Sequence, residues 1–140
     1  MKVSNEILNR IADDMEAGFT CFIHKDTHEL VCYISEDLYP DVGPEDWEIE
    51  MDKIKKNKKE FIKVESMKSS ESFKIMQEFV ESLEDDYVKI RLLKAIEGRK
   101  PFANFKHQIE NSGDFRELWF AFRKQKNMDW IQNQLSDLSD

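Results

Sequence analysis

Three sets of residues in this chain have the types and spacings that chemistry uses. Cys21 and Cys32 are the two cysteines, and a thiol pair is the commonest reagent for reversible oxidation. No Cys-x-x-Cys is present, and no cation or helix start adjoins either residue in sequence to lower a thiol pKa. Sequence therefore assigns both to a reduced apolar core, where small free cysteines usually sit. His24, Asp26, His28 and Glu29 cluster within one turn and have metal-ligand types. Zinc sites need three or four ligands oriented by further hydrogen bonds, so turn chemistry accounts for these four, and no metal or cofactor is expected. His107 with a carboxylate is the remaining acid–base option, a hydrolase. No serine elbow or cysteine partner accompanies it, and no carboxylate pair is marked out by an apolar setting.

The third set is basic. Asp86 to His107 holds six Lys or Arg against two acids, in a chain whose formal net charge is -8. Arg91, Lys94, Arg99, Lys100 and Lys106 are the candidate ligand-binding residues. Arg99 and Lys100 stand immediately before Pro101, a residue suited to the first turn of a helix. Cations there oppose the helix dipole, so an anion is expected to offset them. The alternatives are an internal acid such as Asp86 or Glu97, a phosphate-bearing ligand held by free helix N–H groups, or cations that are simply solvated while the Phe residues are core. Arg99, following Gly98, is expected to fold back onto a carboxylate, and Lys100 to stay in water.

The elements that must carry these residues are legible from periodicity. Ile7, Leu8, Ile11, Ala12 and Met15 form one stripe of a helix capped by Ser4 or Asn5 and stopped by Gly18. Phe19, Cys21 and Ile23 then alternate with polar or second-face residues, as do Leu30, Cys32 and Ile34. A four-residue loop, Lys25 to His28, pairs Phe19 with Ile34, Cys21 with Cys32 and Ile23 with Leu30 on one face, with His28 left-handed. Glu36 to Asp52 carries eight acids and no base, and Pro40, Gly43 and Pro44 punctuate it. It reads as an exposed loop, with a short helical turn around Trp47. Six lysines lie between Lys53 and Lys63, and Glu60 to Glu65 is the third strand.

Helices follow. One is capped by Ser69 or Ser70 and carries Phe73, Met76, Phe79, Val80 and Leu83. The next opens at Asp85 or Asp86, and a third runs from Pro101 towards Gly113. The last is capped by Asp114 and is expected to break near Asn127. Phe102, Phe105, Trp119 and Phe122 are expected to share one cluster. The fold class is α+β: an N-terminal helix, a three-stranded antiparallel meander, and a helical C-terminal half, all within one domain, 1–140.

Composition limits the partners. At -8 the whole molecule repels phosphate backbones and anionic membranes, so bulk DNA and membrane binding are disfavoured. Asp13, Asp14 and Glu16 occupy the place of a signal peptide's apolar core. No run approaches a membrane span, which points to a cytoplasmic protein.

The strings LLKAIEGRKPFANFK, SFKIMQEFVESL before it and FRELWFAFRKQKNMDWIQNQL after it resemble a bacterial uncharacterised protein family numbered 0158. The resemblance covers residues 60–138 well. Its most specific part is Gly98 to Lys106, matching G-R-x-P-F-x-x-F-K. Thr27-His28 departs from the family's tendency to Thr-Gly. The resemblance implies a shared domain and brings no activity. The leading reading is a non-enzymatic cytoplasmic binding or regulatory module with an unidentified, protein-type partner. A binder of a nucleotide or structured RNA at the basic segment, residues 91–106, is the alternative.

Overall fold

A computed structural model describes residues 1–34 and 44–138. The chain forms two compact units, residues 1–66 with 127–140, and residues 67–126.

In the first unit, helix α1 (Asn5–Glu16) starts where the Ser4 hydroxyl accepts the Ile7 N–H, and it buries Leu8, Ile11 and Ala12. Gly18, with φ 101°, turns the chain out of the helix in a left-handed conformation that glycine adopts without steric cost. Strands β1 (Phe19–His24) and β2 (Leu30–Ile34) pair antiparallel, with Phe19 opposite Ile34, Cys21 opposite Cys32 and Ile23 opposite Leu30. His28 closes the loop at φ 62°. Alternation thus places Phe19, Cys21, Ile23, Leu30 and Cys32 of the expected apolar set on one face, packed with Leu8, Ile11, Ile131 and Leu135. The opposite face carries Phe22, Val31 and Tyr33 against Ile54 and Phe61.

The third strand corrects the expected meander. β3 (Phe61–Lys63) is antiparallel as anticipated, but the sheet order is β2-β1-β3, with β1 in the centre. A meander needs a short return from β2. Here the intervening chain includes a 3-10 turn, Pro44–Trp47, and helix α2, Glu48–Lys56, which gives it the length to reach the free edge of β1. Helix α2 extends well beyond the single turn expected around Trp47. Its first turn holds Glu48 and Glu50 and its last Lys53, Lys55 and Lys56, the charge order that the helix dipole favours. The rest of the acidic segment, residues 35–43, lies outside the described residues.

The second unit is helical. α3 (Ser69–Ser82) begins one residue earlier than expected, and no side chain caps it. α4 (Asp86–Glu97) is capped by the Asp85 carboxylate, which accepts the Val88 N–H at 3.0 Å. α5 (Pro101–Glu110) has Pro101 in its first turn. Helix α6 (Phe115–Leu138) runs unbroken through Asn127, where a break was expected; its residues 115–126 belong to this unit. The core gathers Met76, Phe79, Leu92, Ile96, Ile109 and Trp119. Its aromatic centre is Phe79, 5.2 Å from Trp119, 5.4 Å from Phe122 and 6.5 Å from Phe105. Phe102 leaves the expected quartet: it is 44% exposed and meets Phe73 edge-on.

Candidate functional site

The basic residues divide between the two ends of α5. Arg91 is half-buried and donates through Nη2 to Ser112 Oγ, while Ser112 donates to the Gln108 carbonyl at 2.6 Å. The Asn111 amide donates to the His107 carbonyl at 2.9 Å. Ser112 and Asn111 thus satisfy two of the carbonyls that the end of α5 leaves open, Arg91 holds the Ser112 hydroxyl in place, and a guanidinium at that negative end is also electrostatically favoured.

Arg99 and Lys100 lie at the other end, about 15 Å away along a ten-residue helix. Both are exposed, and neither forms an ion pair among the described residues, so Arg99 does not fold back onto a carboxylate as expected. The Arg99 carbonyl instead accepts from the Asn104 amide at 2.8 Å. Lys100 occupies the position before Pro101 with φ 55° and ψ 55°, left-handed, and its side chain does not cap the helix. Lys106 and His107 are exposed on α5, and Lys94 is exposed on α4.

The outward face of α4 shows a feature that sequence periodicity passed over. Tyr87 is 74% exposed and Ile90 54%, and with Lys94 they lie at i, i+3 and i+7, on one side of the helix. The Arg91 guanidinium stands 5.6 Å from the Tyr87 ring centroid, a cation–π contact that holds the exposed ring. The signal was present in the sequence as two apolar residues off the Val88-Leu92-Ile96 stripe.

At the hairpin tip the histidines serve the turn. His24 Nδ1 accepts the N–H groups of Asp26 and Thr27, each at 3.1 Å, and its ring packs edge-on against Phe61. Elsewhere, Asp14, Cys21 and Cys32 bring a carboxylate oxygen and two sulfurs within 4.8 Å of one another. The sulfurs are 3.0 Å apart. Two thiolates on one zinc ion at ordinary bond lengths sit about 3.7 Å apart, so the pair as arranged is too close to be a formed zinc site. Hydrogen bonding from Cys21 pulls the Cys32 thiol below its ordinary range, against burial and the Asp14 carboxylate. The same contact, then burial, pushes Cys21 up. Cys32 Sγ donates to Cys21 Sγ while both are thiols. Once Cys32 has lost its proton, the remaining S–H of Cys21 is the donor.

No helix among the described residues is long and apolar enough to cross a membrane. A family profile described as "Uncharacterised protein family (UPF0158)" matches residues 12–139. A UPF0158 protein of Pseudomonas aeruginosa is 25% identical over 89 residues, a stretch that is 63% of this chain and 58% of that relative's length. No solved structure matches.

Proposed function

The chain belongs to the UPF0158 family, whose name assigns no activity, and from that premise we propose that it is a non-catalytic binding module of the bacterial cytoplasm whose contact surface is the outward face of α4. The observation that carries this reading is the exposed Tyr87–Ile90 pair, flanked by Lys94 and steadied by Arg91. An aromatic, an aliphatic and cations on one helix face are the composition of interface centres, where Tyr and Arg supply most of the energy. The partner is an acidic protein segment with apolar side chains of its own. The stretch from Asp86 to His107 holds six Lys or Arg against two acids in a chain of net charge -8, so charge favours such a segment at this face.

A photo-reactive amino acid at position 90, activated in bacterial cytoplasm, tests the reading. It should give discrete protein adducts that Tyr87→Ala with Lys94→Glu removes, with the melting temperature within a few degrees of wild type. Adducts insensitive to those changes would rule the face out. Adducts lost on nuclease treatment would reassign it to nucleic acid, and with it Arg99, Lys100 and Lys106.

A further inference from the structure

The cross-strand thiols carry an inference independent of the α4 face. On β1, the His24 N–H donates to the Glu29 carbonyl at 2.9 Å, towards β2, whereas the Cys21 carbonyl accepts from Val64, towards β3. Main-chain groups alternate sides along a strand, so Cys21 and Cys32 form a non-hydrogen-bonded pair, the kind whose Cα atoms approach to about 4.5 Å. That lies at the short end of the span that a disulfide bridges, so the strands need not move to bring the two sulfurs into bonding range.

The two sulfurs differ in access. Cys21 is fully buried, while Cys32, on the edge strand β2, lines a surface pocket of about 490 Å³. Among the described residues, the charged groups that face that pocket are Arg10 and Asp14 from α1, Glu29 beside β2, and Glu50 and Lys53 from α2. Arg10 pairs with Asp14 at 3.8 Å and Lys53 pairs with Glu29, leaving the Glu50 charge in surplus among the described residues. An anionic oxidant is therefore repelled at the mouth, and a small neutral one is not.

We propose that Cys32 and Cys21 are a reversible oxidation site for a small neutral hydroperoxide, with Cys32 as the attacking thiol and Cys21 as the one that resolves it. In the first step the Cys32 thiolate attacks the hydroperoxide. An S–O bond forms, the O–O bond breaks, and the departing alkoxide or hydroxide takes up from solvent the proton that the Cys32 thiol gave up in forming the thiolate. In the second step the Cys21 sulfur attacks Cys32. An S–S bond forms, the S–O bond breaks, and the leaving hydroxide combines with the Cys21 proton as water. One dithiol gives two electrons to one hydroperoxide, yielding a disulfide, an alcohol or water, and a further water.

The test uses the full chain, reduced and then mixed with one equivalent of hydrogen peroxide. Thiol titration and intact mass should show both thiols lost together as monomer loses two hydrogens, reversed by dithiothreitol. The reaction should run at least about tenfold faster in the folded protein than in the same protein unfolded in urea, because only the fold arranges the pair. Cys21→Ser should stop at a sulfenic acid on Cys32 that dimedone traps, and Cys32→Ser should leave Cys21 reduced. Equal rates in native and unfolded protein, or cross-linked dimers as product, would overturn the proposal, and the wild-type comparison stands whether or not the variants fold. Faster reaction with anionic oxidised glutathione than with peroxide would overturn the choice of oxidant.

Discussion

Arg91 and Arg99 show how residues of one type, eight positions apart, come to opposite roles. Arg91 is fixed by Ser112 and by the ring of Tyr87, and its Nε is buried without a hydrogen-bond partner. Removing it takes away the donor that fixes the Ser112 hydroxyl. Arg91→Ala is therefore expected to lower stability by about 1.5–3 kcal/mol, the range for losing a hydrogen bond to a charged group. Arg99→Ala and Lys100→Ala are expected to fall within about 0.5 kcal/mol of wild type, because neither exposed side chain is paired among the described residues. Chemical denaturation of the three single variants checks this, and a loss at Arg99 as large as at Arg91 would reveal a pairing that the geometry does not contain. The basic sequence string made all these residues look alike. What separates them is the length of α5, which puts them at opposite ends of a dipole.

At the scale of elements, the aromatic cluster of the helical unit is organised by α3 rather than by α5 and α6 alone. Phe105 is buried and 4.8 Å from Trp119, so Phe105→Ala is expected to cost about 3–5 kcal/mol. Phe102→Ala, at a side chain 44% exposed, should cost less than about 1 kcal/mol. The urea midpoints of the two variants separate these expectations, and equal losses would mean that Phe102 shares the core after all. Both residues look alike in sequence because both fit a helical stripe, and the sequence does not say how wide the covered stripe is. In the sheet-bearing unit, α6 supplies two glutamines that act as strand edges. Gln134 exchanges hydrogen bonds with the main chain of Glu65 at 2.7 and 3.0 Å, and Gln132 accepts the Val3 N–H at 2.9 Å while donating to the Met1 carbonyl at 2.8 Å. A polar residue on a helix reads in sequence as a wet surface. Their partners lie more than 60 residues away, and only folding brings those backbone groups into reach.

For the whole molecule, α6 is the shared component. It places Trp119 in the core of the helical unit, and Ile131 and Leu135 in the core that α1 and the sheet form. Leu135 is fully buried, and Leu135→Ala is expected to cost about 2–5 kcal/mol. We propose that the chain behaves as one domain, because residues of the single helix α6 are buried in both cores. Fluorescence from Trp119, with Trp47 and Trp130 replaced by Phe, and far-ultraviolet circular dichroism should then report one coincident unfolding transition. Two separated transitions would divide the chain into independently stable units.

The sequence by itself determined whatever depends on neighbours along the chain. Ser4 and Asp85 cap helices because their short oxygens reach the N–H groups three residues on. The β1–β2 register follows from six apolar residues that share one face in only one alignment. Tertiary structure decided what depends on which distant surface covers which face. It placed β3 on the far edge of β1, because the chain after β2 is long enough to carry α2 across. It left Tyr87 and Ile90 uncovered, because α4 buries only its Val88-Leu92-Ile96 side. It also distinguished the two cysteines. They are equivalent in the hairpin register, but Cys32 alone lies on an edge strand beside an open pocket, since the third strand closed the other side of β1.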